Sequence, residues 1–224
     1  MNQITFDIIK DDEKVRAYIK AGDDALRALR FTEHSFAHVY KTADTASSLL
    51  TELGYAEREC ELAKIAGLLH DIGNMVNRSG HALTGAVLAE GILSEYSMPY
   101  SETASVICAI GNHDEETGRP VNIIAAALIL ADKSDVRRSR VTETDMDKIL
   151  ADIHDRVNYA VTNGSISAIN NGVKKITLNL DIDTSVCSVM DYFEIFLSRM
   201  LMCRRAADYL DAEFELIINN LKIM

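Results

Sequence analysis

The chain has 224 residues, 48% of them hydrophobic and 25% charged, and a formal net charge of −11; it is long enough to bury a substantial globular core. The acidic balance argues against non-specific binding of a nucleic-acid polymer or an anionic membrane, both of which need a basic surface. No apolar run reaches the roughly 18–20 residues of a membrane span, no signal peptide is visible, and the four cysteines show no CxxC spacing, so a reducing cytoplasm is the simplest compartment.

In chain order, apolar periodicity predicts helices near 8–19, 22–30, 33–53, 57–71, 81–94, 101–111 and 121–138, with Pro99 and the segment 117–120 as turns. In the fourth helix Leu62, Ile65, Ala66 and Leu69 recur at core-facing spacing, and His70 and Asp71 close the run before Gly73. Both polar residues need partners if buried there; one metal ion would satisfy them together. His81 opens the next helix and His113 follows another. Helix ends arriving from several directions can build one metal pocket, as they do in bundles.

Asp132 ends the stretch "NIIAAALILAD", which is apolar on every face and therefore belongs in the middle of a core. A carboxylate there needs a cation, or it takes up a proton. Lys133 and Arg137 are near in sequence, but a metal held by histidines is the more economical partner. Arg138 and Arg140 read as helix-end charges.

Beyond about residue 140 the pattern changes. Residues 142–160 read as one amphipathic helix, Asn171-Gly172 as a hairpin turn, and Ile176, Leu178, Leu180 and Ile182 as the inner face of a strand. A helix at about 185–210 and a second alternating strand at the end, "FELIINNLKIM", complete a small α+β unit. The expectation is a mainly α protein in two parts, a helical domain over 1–140 and an α+β appendage over 141–224. The two strands should share one sheet with the helix across a face. The edges and apolar surface of such a small sheet make a homodimer through this unit the oligomeric expectation.

An upstream histidine, then "LLHDIG" on an apolar helix, then an aspartate on a later core helix resembles the HD-domain metal-dependent phosphohydrolases over roughly residues 30–140. In that family the first histidine begins a long helix four residues before a small residue; His38, followed by Thr42-Ala43, fits better than His34. The resemblance implies an HD-domain helical bundle with His38, His70, Asp71 and Asp132 as core metal ligands. His81 and His113 match positions that hold a second ion in two-metal members. "NHDEETGRP…IIAAALILADKSD" is similar to the YqeK-like branch that symmetrically cleaves diadenosine tetraphosphate, and the "GYP" signature of cyclic-di-GMP phosphodiesterases is missing. Many members carry lysine directly after "HDIG"; here the residue is Asn74, so Arg78 becomes a candidate phosphate contact, with Arg137, His34 and Lys133. A second HD dipeptide, His154-Asp155, lacks the flanking pattern, and His154 reads as a surface residue.

Imidazole and carboxylate donors suit one or two divalent transition-metal ions (Mn, Fe, Co, Ni or Zn). The expected activity is hydrolysis of a small phosphate ester or anhydride, with a nucleotide or nucleoside polyphosphate favoured by resemblance, through metal-activated hydroxide. Asp71 would be central to catalysis, bridging the ions if two are present. A nucleotide-binding sensor without turnover and a di-iron oxygenase are the alternatives on the same fold.

Overall fold

The structure, a computed structural model, describes residues 3–224. A short helix α1 (Phe6–Ile9) leads to α2 (Glu13–Ala28), α3 (Phe36–Glu52) and α4 (Glu57–Leu69). A 3-10 turn at Ile72–Met75 precedes α5 (His81–Glu95), α6 (Tyr100–Gly111) and α7 (Ile123–Lys133). After a 3-10 turn at Arg138–Arg140 come α8 (Met146–Ala151) and α9 (Ile153–Ala160). The chain ends as β1 (Val161–Asn170), β2 (Lys174–Ile182), α10 (Val189–Tyr209), β3 (Glu213–Ile218) and β4 (Leu221–Lys222). This is the mainly α bundle with a small C-terminal α+β unit that the sequence predicts. Among the described residues no helix is long and apolar enough to cross a membrane.

Helix α7 lies at the centre, packed by α3, α4, α6 and α10. Every residue from Ile124 to Ala131 is buried, as its uniformly apolar sequence requires. Two glycines set how closely its neighbours approach. A Cβ on Gly67 would stand 2.5 Å from Ala43 Cα and 2.7 Å from Ala43 N, so α3 and α4 touch backbone to backbone. A Cβ on Gly73 would lie 2.0 Å from the His81 carbonyl oxygen, which fixes the HD turn against the start of α5.

The sheet has the order β1-β2-β3-β4. β1 and β2 form the antiparallel hairpin signalled by Asn171-Gly172, and β2 pairs in parallel with β3, with Ile176, Leu178 and Leu180 opposite Phe214, Leu216 and Ile218. All six side chains are buried, the inner face that period-2 alternation demands, and α10 packs against β2 and β3.

Several boundaries differ from the sequence reading. The helices expected at 8–19 and 22–30 are one helix, α2, because the break comes earlier, where Asp12 accepts the Val15 N–H at 2.9 Å and caps it. The helix expected at 142–160 is two, since the Asp152 carboxylate accepts the N–H groups of His154 and Asp155 at 2.8 and 3.0 Å and starts α9 afresh. The helix expected to reach 138 ends at Lys133. The last alternating stretch is a hairpin, because Asn219 and Asn220 take left-handed φ values of 50° and 64°. Cys60, Cys187 and Cys203 are buried, and Cys108 is exposed.

Gly67→Ala should cost about 1–3 kcal/mol, because backbone rather than a flexible side chain stands in the way. Gly91→Ala, where a Cβ on α5 meets nothing within 4 Å, should instead stabilise by about 0.5–1 kcal/mol. Urea denaturation midpoints of the two variants beside wild type check the opposite signs.

Candidate metal centre and its cavity

The close helix packing brings together residues placed at helix termini. His38 lies in the first turn of α3, three residues after its N-cap Ser35. His70 and Asp71 follow the end of α4, His81 is the first residue of α5, His113 follows α6, and Asp132 is in the last turn of α7. His38, His70, Asp71, His81 and His113 are buried, and Asp132 is nearly so.

Two groups of donor atoms result. His38 Nε2 lies 3.4 Å from Asp132 Oδ1 and 3.6 Å from Asp71 Oδ2, and His70 Nε2 lies 3.3 Å from Asp71 Oδ2 and 3.8 Å from Asp132 Oδ1. The other oxygen of Asp71, Oδ1, faces His81 Nε2 at 3.6 Å and His113 Nε2 at 3.9 Å. The nitrogens of His81 and His113 are 3.2 Å apart. His38-His70-Asp71, His70-His113-Asp132 and Asp71-His81-His113 each offer donor atoms within 4.8 Å of one another.

The opposite edge of each imidazole settles which atom faces inward. Nδ1 of His70, His81 and His113 meets the carbonyl oxygens of Gly67, Arg78 and Ile110 at 2.8, 3.0 and 2.6 Å. A carbonyl only accepts, so these Nδ1 atoms carry the proton and a neutral ring turns the Nε2 lone pair inward. Nδ1 of His38 meets Asp135 Oδ2 at 2.8 Å with the same consequence. The centre therefore collects nitrogen lone pairs and carboxylate oxygens. His38 Nε2, His70 Nε2 and Asp71 Oδ2 are buried without a hydrogen-bond partner among the described residues.

Electrostatics follow from this crowding. Burial depresses His113 well below the ordinary histidine value, helped by His70 and Lys133. Burial likewise lowers His81, against the pull of Asp71. Burial opposes the charge of Asp71, yet His70 holds its carboxyl well below the usual range; Lys133 does the same for Asp132 against the same penalty. Burial also works against a charged His70, which Asp71 nonetheless raises.

A cavity of about 600 Å³ opens onto the cluster, lined there by Asp71, His81, His113 and Asp132. Of the residues expected near a phosphate, Arg78, His34 and Lys133 line it. Arg78 donates to Asn74 Oδ1 at 3.2 Å, and Asn74 donates to Asp71 Oδ1 at 2.8 Å, so the residue in the usual lysine position braces the carboxylate. Lys133 Nζ is 2.7 Å from Asp132 Oδ2. The expectation for Arg137 does not match its placement. Its guanidinium is engaged by Asp135 at 3.0 Å and Glu33 at 3.1 Å, and the lining residue is Arg140, which read as a helix-end charge. His154 is exposed, as expected, but stands on the cavity wall.

Asp135 was not singled out by the sequence. It is 2% exposed and gathers Lys41 Nζ at 2.9 Å and Arg137 Nε at 3.0 Å while orienting His38. Burial disfavours its charge, but the His38 contact and Arg140 hold its carboxyl well below the ordinary range. Its trace in the sequence is the spacing of three from Asp132 in "ADKSD", a pattern with no signature of its own.

Residues 35–158 match the family model described as HD domain. The chain is 35% identical over 105 residues to Ribonuclease Y of Opitutus terrae and 34% identical over 108 residues to Ribonuclease Y of Lawsonia intracellularis. These alignments take in 46% and 47% of this chain but only 18% of either relative. The uncharacterized protein MJ1020 of Methanocaldococcus jannaschii is 28% identical over 160 residues, covering 62% of this chain and 61% of its own length. Among solved structures, one described as a predicted HD superfamily hydrolase from an uncultured Thermotogales bacterium matches with a TM-score of 0.44 and 24% identity, over 58% of this chain and 73% of that one.

A carboxyl whose folded-state pKa is depressed stabilises the fold above its unfolded-state value of about 3.9 and loses that contribution as pH falls toward the folded-state value. Asp135→Asn should therefore cost about 1–3 kcal/mol at pH 7, and its deficit relative to wild type should shrink below about pH 4. Denaturation midpoints at both pH values test this; a deficit that stays constant into acid would contradict it.

Proposed function

Because the chain belongs to the HD-domain family, we propose that it is a metal-dependent phosphohydrolase of small phosphate esters or anhydrides, with nucleotides as the favoured class. One observation supports this most: buried nitrogen and carboxylate lone pairs face one another without hydrogens between them. His38 Nε2, His70 Nε2 and Asp71 Oδ2 are unpartnered, and the nitrogens of His81 and His113 oppose each other at 3.2 Å. Such an arrangement is repulsive unless a cation lies among the donors, and at His81 and His113 burial disfavours a proton in that role.

The donor set fits one divalent transition metal on His38, His70, Asp71 and Asp132, and a second on His81, His113 and the other oxygen of Asp71. When bound, such an ion supplies Lewis acidity that polarises a phosphoryl oxygen and makes water nucleophilic near neutral pH. The remaining work falls to the chain. Asp135 and the three backbone carbonyls fix the tautomers and ring orientations, as outer partners of ligating histidines do. Arg78 and Lys133 offer cationic donors to phosphate oxygens in the cavity. In a chain of charge −11 this local positive lining has to attract the substrate, and the acidic remainder favours a small anion over a polynucleotide, whatever the name of the ribonuclease relatives suggests.

Elemental analysis should find Mn, Fe, Co, Ni or Zn in the purified or reconstituted protein, and His70→Ala should lose most of it while remaining helical by circular dichroism. Unchanged metal in that variant would overturn the ligand assignment. His81→Ala should halve the metal-to-protein ratio if two ions bind and leave it unaltered if one does. Asp135→Ala should weaken metal affinity by about 10–100-fold. A panel of nucleotides, nucleoside polyphosphates including diadenosine tetraphosphate, and sugar phosphates should show chelator-sensitive phosphate release. Binding without release under any metal would favour the sensor alternative.

A further inference from the structure

The wall of the cavity in front of the histidines is chemically mixed. Part of it is the histidine–aspartate cluster with Arg78 and Lys133, and another part comes from α9 through Asp152, Asp155 and Asn158. These acceptors are not equivalent. The Asp152 carboxylate is committed to the helix it begins, accepting the N–H groups of His154 and Asp155 at 2.8 and 3.0 Å. Asp155 makes no side-chain hydrogen bond or ion pair among the described residues, although burial and then Asp152 push its carboxyl above the ordinary value. Asn158 is 6% exposed; its Nδ2 donates to the His154 carbonyl at 2.9 Å, leaving Oδ1 without a partner among the described residues. Asp155 and Asn158 are three apart on one helix, hence on one face, and both line the cavity.

A half-buried carboxylate beside an unused amide oxygen is richer in acceptors than in donors. Its complement is a group presenting two or more hydrogen-bond donors without an anionic charge. Neighbouring sugar hydroxyls meet that requirement, and carboxylates read ribose hydroxyls in the same way in dinucleotide sites. A cavity of about 600 Å³ is within the usual range for one small ligand.

We propose that Asp155 and Asn158 are specificity-determining residues that hold the hydroxyl-bearing sugar of a phosphorylated small molecule while its phosphate lies toward the histidine–aspartate cluster. This rests on the phosphohydrolase reading for the phosphate end. The sugar end stands on the α9 wall alone. Asp155 of the dipeptide His154-Asp155, which lacks the pattern of a metal site, thereby gains a role in the same cavity.

The test uses full-length, manganese-loaded wild type, Asp155→Ala and Asp155→Asn. The substrates are ribonucleoside 5′-monophosphates, their 2′-deoxy counterparts, ribose 5-phosphate, and p-nitrophenyl phosphate, which has no sugar. For Asp155→Ala, kcat/KM on the ribose-bearing substrates should fall about tenfold or more relative to kcat/KM on p-nitrophenyl phosphate. The loss should lie in KM, with partial rescue in Asp155→Asn. A loss for ribonucleotides but not for ribose 5-phosphate would assign the contact to the base and overturn the sugar assignment; a loss for both supports it, and a loss shared by the 2′-deoxy compounds assigns the contact to the remaining hydroxyl. Equal losses on sugar-bearing and sugar-free substrates, or none, would overturn the proposal. If wild type turns over none of them, calorimetric titration with ribose 5-phosphate and the ribonucleotides decides, and the hydrolase reading is left to the wider panel of nucleoside polyphosphates. Binding weakened about tenfold by Asp155→Ala supports the sugar contact, and unaltered or undetectable binding to wild type rejects it.

Discussion

Asp71 directs its two carboxylate oxygens to different pairs of histidines, Oδ2 toward His38 and His70 and Oδ1 toward His81 and His113. One buried carboxylate thus faces side chains from the ends of α3, α4, α5 and α6, and Asp132 of α7 faces His38 and His70 beside it. The placement depends on the glycines around it. Gly67 lets α4 lie against the backbone of α3, and Gly73 lets the turn after Asp71 press on the first residue of α5. A side chain at either position would move donor atoms that now stand within a few ångströms of one another.

Orientation is controlled from outside the cluster. Three histidines give their Nδ1 protons to the backbone carbonyl three residues earlier; those of Gly67 and Ile110 lie in the last turns of α4 and α6, where a helix leaves its oxygens unpaired, and that of Arg78 lies in the loop before α5. His38, near the start of α3, is held instead by the Asp135 carboxylate. Lys41, Arg137 and Arg140 surround Asp135. A positively charged shell therefore sits behind a cluster of lone pairs, and the negative charge of the carboxylates stays compensated on one side while the other faces the cavity.

Helices late in the chain also line the cavity. α9 supplies Asp155 and Asn158, and α10 supplies Phe196 and Arg199. Arg199 pairs with Glu115 at 2.7 Å, Ser198 also bonds Glu115, and Tyr209 donates to the Val121 carbonyl at 3.0 Å. These contacts clamp the segment after His113 against α10. The C-terminal unit thus helps to hold the segment that carries one of the cluster's histidines.

The sequence by itself determined the elements whose signal is local. Uniform apolarity made α7 a core helix, period-2 alternation placed Ile176, Leu178 and Leu180 on one buried face, and "LLHDIG" carried the family resemblance that implies His38, His70, Asp71 and Asp132 as one ligand set. Tertiary structure decided what depends on partners distant in sequence. Asp135 meets His38 across 97 positions, and Arg137 turns to Glu33 across 104. The capping choices of Asp12 and Asp152 also lay beyond periodicity, because a short acidic side chain reads the same whether it caps a helix or faces solvent within one. Hydrophobic pattern is a property of neighbouring residues. Side-chain orientation at a buried polar centre is a property of whatever the fold packs behind it.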